Sequence, residues 1–110
     1  MKHILFDLID CPSNLLDDEE FVRLSVWTAV KESKSELINI SCHKFEPQGV
    51  TALAMLAESH LSMHTWPEKN IAKCDIFTCS DSNDPNAAIE YLRTQFKAME
   101  VRRWTCNRSL

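Results

Sequence analysis

Alternation of apolar and polar residues with a period of two constrains the fold of this chain more than any other feature. In residues 37–44, Ile38, Ile40 and Cys42 alternate with polar neighbours and are predicted to face a core. Such a strand fits a sheet that is covered on one face only, as in many antiparallel sheets. The same pattern recurs in residues 60–66 and 72–79. The chain is therefore predicted to form a largely antiparallel sheet.

Three further segments are predicted to be strands. Residues 3–9 form an apolar run that ends in a turn, and residues 100–106 are assigned to a last strand. Residues 50–57 are continuously apolar, which suits an interior strand, although a buried helix has the same pattern. Residues 107–110 are expected to be frayed.

Two segments are predicted to be helices. The first runs from Asp17 to about Ser33, because its apolar residues recur at helical spacing and acidic residues crowd its first turn. The second opens at residues 83–85, Asn-Asp-Pro, with a capping residue followed by proline at the first helical position. Its predicted apolar stripe is Ala88, Leu92, Phe96 and Met99.

The order of these elements predicts an α+β fold. Two helices would cover one face of a largely antiparallel sheet, giving a two-layer sandwich. The length of 110 residues, with no linker or repeat, indicates a single domain over residues 1–110.

Composition excludes several functional classes. A single glycine, Gly49, leaves no glycine-rich loop to cradle a phosphate. The net charge of −4, with no basic run, argues against a nucleic-acid partner. No apolar stretch reaches the roughly 18 to 20 residues of a membrane span, and no secretory cleavage site follows the N-terminus. We therefore expect a cytoplasmic protein with no membrane partner.

Residues 58–68, ESHLSMHTWPE, concentrate chemically useful side chains directly after an apolar run. On a strand, His60, Ser62, His64 and Trp66 would share one face, and the other face would join the core. Residue types alone do not decide whether the polar face is functional or merely solvated.

Spacing and motif disfavour two kinds of site here. A zinc site that uses His60, His64 and Cys74 or Cys79 is unfavourable, because four residues along a strand separate the histidines by roughly 13 Å. We therefore predict no metal site. A Ser-His-acid triad lacks the G-x-S-x-G turn that exposes a nucleophilic serine. The remaining hypothesis is an internal serine that attacks its own peptide carbonyl.

The run FEPQGVTALAMLAESHLSMHTWPE, followed by DIFTC, closely resembles the short bacterial and archaeal S-adenosylmethionine decarboxylases. The resemblance implies autocatalytic cleavage between Glu58 and Ser59. This cleavage would give a β chain of residues 1–58 and an α chain of residues 59–110. Ser59, the first residue of the α chain, would become a pyruvoyl cofactor. Strict alternation puts Ser59 and His64 on opposite faces, so a turn near Glu58-Ser59 is required.

The resemblance also implies roles for individual residues. His64 is the proton acceptor in cleavage, Thr51 assists cleavage, and Cys79 donates the proton that replaces the carboxylate. Phe45 stacks on adenine and Glu68 binds the ribose hydroxyls. The other cysteines are expected to fill the core: Cys11, Cys42, Cys74 and Cys106.

The leading functional hypothesis is decarboxylation of S-adenosylmethionine to supply the aminopropyl donor of spermidine, a polyamine. The chain has Ile9 and Asp10 where many relatives carry a second aromatic ring. Asp10 could instead hold the distal cation of ornithine or arginine, which gives the alternative of a basic amino acid decarboxylase. A third hypothesis is a non-catalytic binding relative. By the resemblance, we expect a homodimer of cleaved protomers.

Overall fold

The structure, a computed structural model, describes residues 1–109, in which six strands form one antiparallel sheet. The strands are β1 (Lys2–Ile9), β2 (Leu37–Lys44), β3 (Val50–Leu56), β4 (Ser59–Trp66), β5 (Ile71–Thr78) and β6 (Glu100–Asn107). Their order in the sheet is β2-β3-β4-β5-β1-β6, and every neighbouring pair is antiparallel. All six predicted strands are confirmed.

The helices are α1 (Ser13–Leu16), α2 (Glu19–Glu32) and α3 (Pro85–Gln95). The prediction missed α1 and began α2 too early, because Asp18 is the capping residue and its carboxylate accepts the Phe21 N–H at 3.0 Å. The long helices α2 and α3 contact each other and the sheet, α2 on β2, β3 and β4 and α3 on β1 and β5. The predicted α+β fold is confirmed. In the described part of the chain, no helix has the length and apolar character to cross a bilayer.

The core lies between the long helices and one face of the sheet. The four inner strands β1, β3, β4 and β5 contribute buried side chains at alternate positions, whereas the edge strands β2 and β6 contribute none. Burial of each large apolar side chain contributes roughly 1.5–3 kcal/mol. Those with 0% exposure include Phe6, Leu8, Leu61, Met63 and Ile76 from the sheet and Val22, Val26, Leu92 and Phe96 from the helical side.

Three local predictions are wrong. Ile38 is 56% exposed because the pairing of β2 with β3 shifts register between Leu37 and Asn39, which turns Ile38 out of the core. Met99 is 75% exposed because α3 ends at Gln95. Asn107 belongs to β6 and is not frayed. The prediction for Leu110 lies outside the described residues.

Within residues 1–109, no helix covers the opposite face of the sheet, which we call the open face. Its central row of cross-strand neighbours is Trp104, Leu5, Asp75, Ser62 and Leu53. Large apolar side chains on this face are about half exposed: Leu5 47%, Leu53 52%, Met55 57% and Trp104 54%. The open face is therefore unusually apolar for a sheet surface in contact with water.

Candidate active site

The chain turns sharply at the bond that is expected to be cleaved. A two-residue turn of Ala57 and Glu58 joins β3 to β4, and Ser59 is the first residue of β4. Glu58 has a φ of 71°, in the left-handed region that is unfavourable for a residue with a side chain. A turn is therefore present at this bond, but it lies before Ser59 and does not bring Ser59 and His64 onto one face of β4. It places backbone strain next to the serine.

Cys79 lies directly against this turn. It follows the last residue of β5, and its Sγ donates a hydrogen bond of 2.6 Å to the carbonyl oxygen of Glu58. A donor at this oxygen stabilises the negative charge that develops when a nucleophile adds to the carbonyl carbon. We call Glu58, Ser59 and Cys79 the cleavage group.

A second set of predicted site residues surrounds a hollow of about 350 Å³ near the far end of β4. Thr51 and His64 are cross-strand partners, and Thr51 Oγ1 lies 3.1 Å from His64 Nδ1, which fixes the orientation of the imidazole. Phe45 and Glu68 line the same hollow. We call Phe45, Thr51, His64 and Glu68 the recognition group.

The chain's only glycine shapes this hollow. Gly49 has a φ of 106°, and a Cβ there would lie 3.2 Å from the Thr65 carbonyl oxygen. Its N–H donates to Asp17 Oδ1 at 2.8 Å, and its carbonyl accepts the Phe45 N–H at 2.8 Å. These bonds hold the loop that presents the Phe45 ring, which remains 45% exposed.

The cleavage group and the recognition group are far apart within one chain. His64 follows Ser59 by five residues on the same strand, which corresponds to roughly 16 Å. Cys79 lies at the Ser59 end and Glu68 just beyond the His64 end. The structure thus brings three predicted residues together at one end of β4 and four at the other.

A third cluster lies on the open face beside the cleavage group. The Nε2 atoms of His3 and His60 each lie 2.7 Å from the same Asp75 oxygen, Oδ2, and Ser62 Oγ donates to Oδ1. Burial raises the pKa of Asp75, but the hydrogen bonds from Ser62, His3 and His60 outweigh burial and hold it below its ordinary value of 3.8.

Two imidazoles and a carboxylate are also a common set of metal ligands. Ligand atoms about 2.05 Å from a tetrahedral ion are roughly 3.3 Å from each other, however. The 2.7 Å separations are those of direct hydrogen bonds. This cluster is therefore a carboxylate that two imidazoles share.

The cysteines differ in their surroundings. Cys11 and Cys74 are buried in the core as expected, and Cys42 is partly buried against it. Burial, aided by the charge of Asp10, raises the pKa of Cys11 to about 11. Burial also raises the pKa of Cys74 well above its usual value. The prediction that Cys106 fills the core is wrong, because β6 is an edge strand and exposes this side chain.

Comparison with known proteins assigns the chain to a family. A sequence model of the family described as S-adenosylmethionine decarboxylase matches residues 2–109. This chain belongs to the S-adenosylmethionine decarboxylase family. The S-adenosylmethionine decarboxylase proenzyme of Synechococcus sp. (strain WH7803) is 51% identical over 98 residues, which cover 89% of this chain and 77% of the relative.

An archaeal relative and a solved structure agree. The S-adenosylmethionine decarboxylase proenzyme of Methanococcus vannielii is 44% identical over 100 residues, which cover 91% of this chain and 82% of the relative. The crystal structure of the adenosylmethionine decarboxylase from Aquifex aeolicus VF5 matches with a TM-score of 0.91 and 32% identity. That match covers 99% of this chain and 90% of the other. The family's fold therefore extends over nearly all of this chain.

Two features of the site could not be predicted from the sequence alone. Trp66 lines the same hollow as Phe45, so the hollow holds two aromatic rings. The sequence carried a hint of this, because Trp66 lies two residues after His64 and therefore shares its strand face. The role of Asp75 in joining His3 and His60 depends on the pairing of three strands, which no local pattern in the sequence indicates. Asp10 lines a different hollow, with Asn70 and Met99.

Proposed function

We propose that this chain is a proenzyme that cleaves itself between Glu58 and Ser59. A pyruvoyl group derived from Ser59 then serves the decarboxylation of S-adenosylmethionine, which supplies the aminopropyl donor of spermidine in the cytoplasm. The observation that carries the proposal is the 2.6 Å hydrogen bond from Cys79 Sγ to the Glu58 carbonyl oxygen. It aims a proton donor at the carbonyl that the neighbouring serine must attack. The names of the relatives, S-adenosylmethionine decarboxylase proenzymes, support both the precursor and the reaction.

In cleavage, the Ser59 hydroxyl adds to the Glu58 carbonyl carbon while the Cys79 thiol stabilises the charge on its oxygen. The C–N bond breaks and an ester links the two residues. Loss of the Ser59 α-proton then expels the Glu58 carboxylate, and water replaces the α-nitrogen of residue 59, which leaves as ammonia. The proton acceptor is His64, which Thr51 holds in position.

This acceptor must come from a second copy of the chain. Within one chain, about 16 Å of strand separates Ser59 from His64, whereas proton transfer requires hydrogen-bond reach of roughly 3 Å or one intervening water. A symmetric pair fulfils this requirement twice, because each cleavage group meets the recognition group of the other copy. We therefore propose a homodimer with two shared sites.

The open face is the surface on which the copies would pair. It carries Leu5, Leu53, Met55 and Trp104, whose exposure of about one half is costly in water. It also displays His64 and Thr51, which share their row with Lys73 and Asp7. Pairing the open faces would cover this apolar surface and bring the recognition groups to the dimer interface.

The residues of the two groups fit the pyruvoyl group and its substrate. When present, the group supplies an electron sink next to the carbon that loses carbon dioxide. Cys79, whose Sγ contacts the carbonyl oxygen of the residue before Ser59, donates the proton that replaces the carboxylate. Phe45 and Trp66 offer aromatic faces to adenine and to the sulfonium, and Glu68 offers two acceptor oxygens to the ribose hydroxyls.

Intact mass and carbon dioxide release test the proposal together. The purified chain should separate under denaturing conditions into fragments of residues 1–58 and 59–110, and should release carbon dioxide from S-adenosylmethionine and not from ornithine or arginine. The Ser59→Ala variant should remain one species of full mass without activity. An intact wild-type chain, or turnover of ornithine alone, would contradict the proposal.

A further inference from the structure

We infer that the hydrogen bond between His60 and Asp75 anchors residue 59 after cleavage, so that His60 and Asp75 are positioning residues for decarboxylation. The inference rests on the proposed function, because it concerns the new chain end that cleavage creates.

The proposed anchor is the His60 side chain, one residue after the bond that would be cleaved. His60 directly follows Ser59, and its Nε2 lies 2.7 Å from Asp75 Oδ2. Asp75 lies inside β5, paired with Leu5 of β1 and Ser62 of β4, and its side chain is only 23% exposed. Ser62 binds the other carboxylate oxygen. The acceptor is thus fixed by strands on both sides.

Cleavage changes what holds residue 59. In the uncleaved chain this residue is tethered through Glu58 on one side and through His60 on the other. Afterwards only His60 remains covalently attached, and residue 59 becomes the terminal pair of the β3-β4 ladder, opposite Leu56. Terminal residues fray unless a contact ties them down. A hydrogen bond to a carboxylate, of the stronger charge-assisted kind, is the first side-chain contact after the new end.

The same cluster provides a matched comparison. His3 lies on β1, far from residue 59 in the chain, yet its Nε2 binds the same Asp75 oxygen at the same 2.7 Å. The His3 side chain is 24% exposed and that of His60 is 38% exposed. If the cluster is merely structural, loss of either imidazole should lower kcat equally. If His60 anchors residue 59, loss of His60 should lower kcat far more than loss of His3.

The experiment compares His60→Leu with His3→Leu in the full chain. Intact mass gives the rate of cleavage, and the cleaved fraction gives kcat and KM for S-adenosylmethionine. Amide hydrogen exchange of the segment that begins at residue 59 gives a readout that is independent of turnover. The thermal melting temperature of each variant controls for its folding.

For His60→Leu we expect cleavage within about threefold of wild type but a kcat lower by about 30-fold or more, since small misplacements of a reacting group cost up to about 100-fold. Its new chain end should exchange faster, with little change in KM. His3→Leu should lose less than about fivefold in kcat. His60→Gln, whose amide can donate to Asp75, should recover most of the kcat that His60→Leu loses.

Equal losses of kcat in His60→Leu and His3→Leu, or unchanged exchange at the new end, would overturn the anchor. If His60→Leu does not fold, Asp75→Ala is measured instead, because this variant keeps both imidazoles and removes their acceptor. A normal kcat in Asp75→Ala would overturn the inference. A wild-type chain that does not cleave overturns the proposed function. If the wild-type chain cleaves and turns over normally but His60→Leu and His3→Leu lose the same kcat, only the anchoring role of His60 is overturned.

Discussion

The two ends of β4 differ in backbone geometry and in the side chains that they present. The cleavage group at the first end has a strained backbone, with Glu58 in the left-handed region and its carbonyl bound by Cys79. In the recognition group at the other end, Thr51 and His64 face each other across the regularly paired β3 and β4. Phe45 and Glu68 lie just outside the strands, after β2 and after β4. One end stores strain and the other presents side chains from a rigid frame.

Under the proposed function, this difference explains why each site would need a second copy of the chain. A strand of eight residues cannot bring its two ends together, so Ser59 and His64 are held apart within one chain. In the proposed homodimer, each Ser59 end would meet the His64 end of the other copy, which gives two complete sites. The apolar open face provides the surface for such pairing.

The largest expected effect belongs to the cleavage end. Replacement of Cys79 by alanine removes the donor to the Glu58 carbonyl, and loss of one such donor slows comparable reactions by about 100-fold or more. We expect a similar loss in the rate of cleavage of Cys79→Ala, measured by intact mass over time.

The matched control for this variant is Cys106→Ala, which changes an exposed cysteine on the edge strand β6. It should cleave at the wild-type rate. Wild-type cleavage by Cys79→Ala would show that the thiol contact has no part in the chemistry and would remove the distinction between the two ends.

A smaller effect should distinguish the recognition end. Loss of the Phe45 ring should weaken adenine binding by about 1 kcal/mol, which raises KM about fivefold. Cleavage should be unchanged, because the substrate takes no part in it. Steady-state kinetics of Phe45→Ala, with Trp27→Ala on the remote surface of α2 as the control, measure this effect. A slowed cleavage with normal KM would reverse the assignment of the two ends.

The smallest effect concerns stability and pH at Asp75. Because the pKa of Asp75 is lower in the folded chain than its ordinary 3.8, its stabilising effect is complete above that value and fades as the pH falls below it. The difference in free energy of unfolding between wild type and Asp75→Ala should therefore shrink between pH 6 and pH 3. Urea unfolding at both pH values measures it, and a constant difference would contradict the role of these hydrogen bonds.

Much of the fold could be predicted because its patterns are local. The alternation in residues 60–66 and 72–79 gave the correct faces of β4 and β5, and the caps at Asp18 and Asp84 lie where acidic residues precede the two long helices. Ile38 was misplaced because a bulge depends on how two strands pair. Met99 was misplaced because helical spacing continues in the sequence after the helix ends.

The site was only partly predictable for the same reason. The motif around Glu58 and Ser59 suggested where cleavage would occur, but the contact of Cys79 with the Glu58 carbonyl joins residues 21 positions apart. The shared carboxylate of Asp75 joins three strands, and its contact with His3 spans 72 positions. Contacts of this range follow from sheet order, which periodicity does not specify.

Complementation between two inactive variants tests the central claim most directly. Ser59→Ala and His64→Ala chains, each inactive alone, are produced together in equal amounts so that half of the dimers are mixed. Every mixed dimer would hold one site with both residues intact, so the account predicts about one quarter of the wild-type decarboxylase activity. Activity no higher than that of either variant alone would show that each site is built within a single chain and would contradict the account.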